Sequence, residues 1–248
     1  MKGKKIWIIY LLAGMIISAL MSGCVNQAAD SGLLKTSEEE TAQNGIEQAV
    51  VQPTQDIEGT KIAQADSNGT SILIVYFAVA ENSDVDAVAS ASVVSVNGES
   101  EGRIQYLAKL IQEETGGELF SIQTSVDYPG DGGKLIDYAA EEQDNDVRPE
   151  LTNHIENFDQ YDVVFVGYPT WWYDLPQVMY SFFDEYDFSG KTIIPFNSHN
   201  GSRFSGTIAT IEELEPDAEV IADGFTVSER DVADAKEDIV NWLRGLDF

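Results

Sequence analysis

The chain has 248 residues, with 14 Lys and Arg against 43 Asp and Glu, and its formal net charge is −29. So acidic a chain is a poor partner for nucleic acid or an anionic membrane surface, because phosphate binding depends on Lys and Arg. The single cysteine and two histidines argue against a disulfide framework, a Cys-ligated zinc or iron–sulfur site and most zinc hydrolase sites, and we predict no metal. Hydrophobic residues make up 43% of the chain, which is enough for a sizeable core.

The first 24 residues predict an export signal. Three lysines precede an apolar run from Ile6 to Met21, which is shorter than the roughly 20 residues of a spanning helix and suits the core of a signal peptide. The run leads into Met-Ser-Gly before Cys24, a sequence that resembles a bacterial lipobox. We therefore expect a lipoprotein-type signal peptide over 1–24, lipidation at Cys24, and a protein anchored to the bacterial cell membrane on its extracytoplasmic side. An uncleaved anchor helix is the alternative.

Residues 25–70 are rich in Gln, Ala, Ser, Thr, Glu and Asp and show no lasting periodicity, which predicts a disordered tether. The pattern changes at Ser71. Residues 71–248 hold nine of the basic and 35 of the acidic residues and are predicted to form one folded domain.

Five apolar segments of this domain predict buried strands. Ile72–Phe77 is a continuous apolar run, as expected for a strand covered on both faces of a parallel sheet. The other four segments are 118–124, 162–167, 191–196 and 219–227. Apolar stripes at helical spacing lie between them, at 104–111 and 175–183, and a third follows the last strand at 232–243. Pro149 predicts a further helix leading to Leu151 and Ile155. The pattern predicts an α/β fold with a doubly wound five-stranded parallel sheet and helices on both faces.

Ligands bind such sheets beyond the carboxyl ends of the strands, at the switch point of the strand order. The turn after the third strand is aromatic, which suggests a flat ligand. Its candidate contacts are Tyr168, Pro169, Thr170, Trp171 and Trp172. The turn after the fourth strand is polar and offers amide groups to the edge of a heteroaromatic ring. Its candidates are Asn197, Ser198, His199, Asn200 and Gly201. A packing role for one or both tryptophans is the alternative.

The Gly-x-Pro-x-Trp-Trp segment that begins at Gly167, the polar loop and the segment Asp187–Lys191 together resemble the flavodoxin-like family, over about 72–248. The resemblance implies a sheet in the order 2-1-3-4-5. It also implies FMN at the strand ends, with its isoalloxazine ring against the aromatic loop, and one- or two-electron or hydride chemistry. The partners it implies are FMN and an electron donor and acceptor that the sequence does not identify.

The first turn departs from the family's pattern. Ala78 stands where a hydroxyl residue is usual, and an insertion over about 79–101 precedes the first helix. Within the insertion, Val93–Gly98 predicts a small hairpin. The resemblance implies that the FMN phosphate binds at the helix entry, where the candidates are Ser100, Gly102, Arg103 and Ile104. A merely capped helix start, with a decayed cofactor site, is the alternative.

His199 is the candidate catalytic residue, since an imidazole at this position can stabilise negative charge on a reduced flavin or donate to a quinone oxygen. A hydrogen-bonded surface histidine is the alternative. The turn Asp127–Gly133 is expected to border the site. The sequence therefore predicts an FMN-binding electron-transfer protein or oxidoreductase outside the cytoplasmic membrane, passing electrons to a quinone, a flavin or a protein. The competing prediction is a cofactor-free binding module with the same fold and a degenerate phosphate loop.

Overall fold

The computed structural model describes residues 69–83 and 92–248. The predicted signal peptide, Cys24, nearly all of the predicted tether and residues 84–91 of the insertion lie outside the described residues. Among the helices that are described, none has the length and apolar character needed to cross a bilayer.

The described part of the chain forms eight β-strands and five α-helices. The strands are β1 Ile72–Tyr76, β2 Val93–Val96, β3 Glu99–Gly102, β4 Glu118–Ser121, β5 Val163–Pro169, β6 Thr192–His199, β7 Glu219–Val220 and β8 Phe225–Ser228. The helices are α1 Arg103–Thr115, α2 Gly132–Asp144, α3 Gln177–Glu185, α4 Thr207–Leu214 and α5 Lys236–Leu243.

The main sheet is parallel and has the order β4-β1-β5-β6, with both β7 and β8 paired to the outer side of β6. This confirms the predicted doubly wound sheet with the order 2-1-3-4-5, in which the fifth strand is made of two short pieces. The chain adds β4 on one side of β1 and then β5 on the other. The switch point of the sheet therefore lies at the carboxyl ends of β1 and β5.

The break in the fifth strand follows from Pro195 in the middle of β6. The carbonyl oxygens of Ile193 and His199 accept hydrogen bonds from the chain of the fifth strand. Along a strand the backbone groups of every second residue point to the same neighbour, so those of Pro195 also point to the fifth strand. Because proline has no N–H, the ladder loses a donor there. The chain bulges at this point, and the Gly224 Cα lies so close to the Pro195 carbonyl that an added Cβ would stand 2.3 Å from its oxygen.

The sheet is covered on both faces, as the apolar run of β1 predicts. Leu73 and Val75 point into a core that includes residues of α2, α3 and α4. Ile74 and Tyr76 point into a second core, formed with α1 and α5. Alternate residues of one strand are thus buried on opposite sides, which removes the polar positions that a half-exposed strand would show.

The predicted hairpin in the insertion is confirmed. Strands β2 and β3 pair antiparallel around a two-residue turn in which Asn97 has φ 54° and Gly98 has φ 86°. Asn-Gly is the pair that such a turn prefers, because both residues must adopt a left-handed conformation. The hairpin leads directly into α1, and Val94 is buried in the core that α1 and α5 share.

The predicted helix after Pro149 is wrong. The backbone of this segment pairs with the chain that follows β4: the Thr152 amide donates to the Gln123 carbonyl, and the Ser125 amide donates to the Glu150 carbonyl. The helix of this connection is α2, which begins earlier, behind Asp131, whose side chain caps it by accepting a hydrogen bond from the Lys134 amide at 2.9 Å.

Candidate functional site

A groove of about 1390 Å³ lies at the carboxyl edge of the sheet. Its walls come from the start of α2 with the turn before it, the chain after β5 and the chain after β6, and Ser92, Arg103 and Glu229 complete the lining. The turn that contains Pro129–Gly132 borders the groove, as predicted for 127–133. Segments far apart in the sequence therefore meet where a doubly wound sheet places its ligands.

The aromatic loop forms a very tight hairpin. Trp171 and Asp174 exchange two backbone hydrogen bonds, of 3.0 and 2.8 Å. The two residues of the turn are Trp172, with φ 46°, and Tyr173, with φ 69°. Turns of this kind strongly favour Asn and Gly, and a bulky aromatic residue in the left-handed region is strained. Strain of this sort is retained mostly at sites where a side chain must be held for binding.

The two tryptophans have different environments. Trp171 packs edge-on against Phe77 and Tyr128, with ring centroids 5.7 Å away in both cases. Trp172 is 49% exposed, and its indole N–H donates to the Ile136 carbonyl on α2 at 3.0 Å. Both residues line the groove. Trp171 is therefore chiefly a packing residue. Trp172 has an exposed ring, which the hydrogen bond to Ile136 holds in position at the groove.

The loops after β5 and β6 are bonded together. The Thr170 hydroxyl donates to the Arg203 carbonyl at 3.0 Å and accepts from the Asn197 side-chain amide at 2.6 Å. The Thr170 amide also donates to the Ser198 carbonyl at 2.9 Å. Asn197 is fully buried and does not line the groove. The prediction that Asn197 contacts the edge of the ligand ring is therefore wrong, because its side-chain NH₂ group is used to join the two loops.

The prediction that Tyr168 contacts the ligand is also wrong. Its side chain is completely buried, and its hydroxyl donates to Thr207 Oγ1 at 2.8 Å. Neighbouring residues on a strand point to opposite faces, and Tyr168 points into the core shared with α3 and α4. Burial therefore holds the pKa of its phenol above the ordinary value.

Three of the four residues predicted to hold the phosphate do not line the groove. The hydroxyls of Ser100 and Ser95 hydrogen-bond to each other across the β2–β3 hairpin at 2.6 Å. Ile104 is buried against the sheet. Gly102 packs so closely on Ala78 that an added Cβ would stand 2.9 Å from the Ala78 Cβ. Ser100, Gly102 and Ile104 are thus corrected as groove contacts: none of them lines the groove, because Ser100 bonds within the hairpin and Gly102 and Ile104 pack against Ala78 and the sheet.

Arg103 is the member of that set that does line the groove. Its Nη1 forms an ion pair with Glu229 Oε2 at 3.1 Å. Its Nε is buried and has no hydrogen-bond partner within the described residues. A buried guanidinium N–H without a partner is costly, so Arg103 is a candidate to bind an anionic group in the groove. Lys134 lines the same groove, and the groove thus contains two of the nine basic residues of this acidic domain.

His199 lies at the end of β6 and lines the groove. Its Nδ1 accepts a hydrogen bond from the Gly201 amide at 2.9 Å. Burial and the nearby Arg203 lower the pKa of the imidazole, against the opposite effect of Glu229 and Asp231. These effects favour the neutral form of the ring.

The predicted residues that the structure brings together in the groove are Arg103, Pro169, Thr170, Trp171, Trp172, Ser198, His199, Asn200 and Gly201. Sequence reasoning missed Tyr173, Ile136 and Glu229 as lining residues. Tyr173 was adjacent to the predicted set, and its partly apolar ring in a tight turn was a usable signal. Ile136 and Glu229 carried no such signal, because only the tertiary fold brings α2 and the end of β8 to this edge.

The fold and the groove define a doubly wound α/β domain that can hold a ligand at the switch point of its sheet. The family model for flavodoxin matches residues 90–246. The chain therefore belongs to the flavodoxin family. No curated protein matches its sequence.

Solved structures share the fold. A protein from Bacteroides uniformis, assigned as a flavoprotein, is 23% identical with a TM-score of 0.54, over 71% of this chain and 99% of its own. A protein from Bacteroides eggerthii, also assigned as a flavoprotein, is 23% identical with a TM-score of 0.51, over 69% of this chain and 98% of its own. A flavoprotein from Lactobacillus acidophilus, solved in complex with FMN, is 19% identical with a TM-score of 0.47, over 68% and 99%.

Proposed function

We propose that the domain binds FMN in this groove and uses it to transfer electrons. The observation that carries the proposal is the chemistry of the lining. One groove is lined by an exposed aromatic surface at Trp172 and by Arg103, whose Nε has no hydrogen-bond partner among the described residues. FMN combines a flat heteroaromatic ring with a phosphate, so it needs a stacking surface and an anion-binding group in the same site. Membership of the flavodoxin family supports the same choice.

Trp172 is the residue expected to stack on the ring. Its position does not depend on the ligand, because the hairpin backbone and the indole bond to Ile136 hold it in place. Holding an aromatic surface in advance lowers the ordering cost of binding. Tyr173 extends this surface at the tip of the hairpin, where its side chain is 69% exposed.

Arg103 is the residue expected to bind the phosphate. Within the described residues, its pairing with Glu229 leaves Nε without a partner, and a guanidinium can bind a phosphate through two parallel charge-assisted hydrogen bonds. The backbone amide of Arg103 is already bonded to the Ser92 carbonyl, and that of Gly102 to Gln105 Oε1. The side chain of Arg103 therefore takes over much of the role that free helix-terminal amides would otherwise have.

Bound FMN would supply one- or two-electron chemistry, and the chain would bind it, orient it and exclude water. We extend the proposal to the rest of the chain: Cys24 is lipidated, and the domain works as an oxidoreductase or electron carrier outside the cytoplasmic membrane. Its acceptor is a quinone, another flavin or a protein. These parts rest on the sequence of residues 1–24 and on the chemistry of flavins.

The test is a titration of the full chain, purified in detergent, with FMN and with riboflavin, followed by quenching of flavin fluorescence. Arg103→Gln is expected to weaken FMN by roughly 10- to 100-fold, which is the worth of a charge-assisted hydrogen bond, and to leave riboflavin unchanged. Arg148→Gln is the matched control, because Arg148 pairs with Asp146 and Asp184 away from the groove. Fluorescence that stays unquenched by the wild-type chain would sink the proposal, and equal losses for both flavins would refute the role of Arg103.

The second candidate is a binding module that holds no cofactor. The amides of Gly102 and Arg103 favour it, because acceptors of the chain itself already satisfy both groups. Under this alternative, the wild-type chain binds neither flavin, and Trp172→Leu leaves both titrations flat. Detergent-extracted chain that carries a stoichiometric flavin would exclude it.

A further inference from the structure

The hydrogen bond between His199 and Gly201 decides which nitrogen of the imidazole carries the proton. A backbone amide can only donate, so His199 Nδ1, at 2.9 Å from the Gly201 nitrogen, must be the acceptor and must be unprotonated. In the neutral ring the proton therefore lies on Nε2. Gly201 has φ 99°, a conformation that other residues rarely adopt. The sequence His-Asn-Gly thus builds the contact locally.

The other ring nitrogen is available to a ligand. His199 lines the groove, and Nε2 has no hydrogen-bond partner within the part of the chain that the structure describes. Charged groups surround the ring on several elements. Arg203 follows on the same loop, Glu229 and Asp231 follow β8, and Asp131 and Lys134 line the groove from the start of α2. Burial and Arg203 prevail, and the pKa of His199 lies below its ordinary value.

We propose that His199 is a fixed neutral donor, which presents Nε2–H to an oxygen or nitrogen acceptor of the ligand and does not transfer protons. A proton added at Nδ1 would break the Gly201 contact and turn the amide of that residue away from the ring, so protonation is coupled to a change in the loop. The identity of the acceptor rests on the proposed function, under which it is a carbonyl oxygen or ring nitrogen of the isoalloxazine.

The tautomer can be measured without any ligand. The chain has two histidines, and His154 lies outside the groove, paired with Glu185 at 2.7 Å. His154→Gln therefore leaves His199 as the single imidazole, whose ¹⁵N chemical shifts report protonation at each nitrogen. The full-length H154Q chain in detergent is expected to show the Nε2–H tautomer at pH 7.5. On acidification the Gly201 amide signal should shift with the imidazole, at a midpoint below about 6.5. An Nδ1–H tautomer or an imidazolium at pH 7.5 would overturn the proposal.

Two amide substitutions separate the donor from the loop contact. Asn at position 199 places an oxygen near the position of Nδ1 and keeps an acceptor for Gly201, but it has no group at the position of Nε2. Gln reaches the position of Nε2 with an NH₂ donor and loses the short acceptor. FMN affinity is expected to fall about tenfold in His199→Asn, the worth of one hydrogen bond of about 1.4 kcal/mol. It should stay within about threefold in His199→Gln.

The two failures are distinguishable. If the H154Q chain shows the expected tautomer but the wild-type chain binds neither FMN nor riboflavin, the proposed function is refuted, since the tautomer result does not depend on a flavin. Clear FMN binding with equal losses in the Asn and Gln variants would overturn the donor role and leave FMN binding intact. The opposite order, with Asn tolerated and Gln weakened, would show that His199 only shapes the loop.

Discussion

The backbone conformation of Tyr173 leads to a specific prediction: the Tyr173→Gly variant should be more stable than the Tyr173→Ala variant. The residue has φ 69° in the hairpin turn. A left-handed conformation costs a residue with a β-carbon roughly 1–2 kcal/mol. Glycine avoids this cost but returns about 0.5–1 kcal/mol through the greater freedom of its unfolded chain. The expected net advantage of Tyr173→Gly over Tyr173→Ala is about 0.5–1 kcal/mol.

The pair of variants isolates the backbone effect. Tyr173 is 69% exposed, so either change removes little buried surface, and both remove the same ring. For a domain of this size the difference corresponds to a shift in Tm of about 2 °C. Urea unfolding of the two variants, followed by tryptophan fluorescence, gives the difference in the free energy of unfolding directly.

The same variants connect the strain with binding. Both should weaken FMN to a similar extent, because both lose the ring that extends the surface of Trp172. An alanine variant as stable as the glycine variant, or more stable, would refute the left-handed turn and with it the strain assigned to the hairpin.

Three further changes test a packing contact, a buried carboxyl group and a hydrogen bond between loops. Trp171→Ala should lower the free energy of unfolding by about 3 kcal/mol, since the ring packs between Phe77 and Tyr128, and a loss below about 1 kcal/mol would contradict its packing role. Burial raises the pKa of Glu142 to about 7, so its contribution to stability is present below the unfolded pKa near 4.5 and is lost as the pH rises through 7. Glu142→Gln should remove that loss, so the free energy of unfolding of the variant, relative to that of the wild type, should rise by on the order of 1–2 kcal/mol from pH 5 to pH 8. Chemical denaturation of both proteins at the two pH values measures this change. A difference between the two proteins that is the same at both pH values would contradict the prediction. Thr170→Val should cost about 1–3 kcal/mol by removing the two hydrogen bonds of its hydroxyl, while the Asn197 NH₂ group keeps its own bond of 3.2 Å to the Arg203 carbonyl. Unchanged stability would show that the two loops do not depend on the Thr170 hydroxyl.

The strands were predictable because their signal is local. A run such as Ile72–Phe77 has no polar position, and this occurs when both faces of a strand are buried. The Asn97-Gly98 turn was predictable for a similar reason, since few residue pairs adopt two successive left-handed conformations. In the fifth strand, the boundaries could not be predicted from 219–227 alone, because the break is caused by Pro195 on the neighbouring strand.

The candidate site was predictable in its position along the chain but only partly in its residues. The loops after β5 and β6 do meet at the groove, as strand order requires. Tyr168 and Asn197 were misassigned because each is buried although the next residue of its strand, Pro169 or Ser198, already lines the groove. A change of one residue along a strand reverses the direction of a side chain.

The sequence by itself determined the class of fold, the two loops that carry the aromatic and polar groups, and the acidic character of the domain. Only the tertiary structure decided which side chains face the groove. Arg103 shows the reason most clearly. Its neighbours Gly102 and Ile104 pack against Ala78 and the sheet, and Ser100 bonds to Ser95, so none of the three lines the groove. The ion pair of Arg103 with Glu229 joins residues 126 positions apart. Such contacts depend on how layers pack, and no local pattern encodes them.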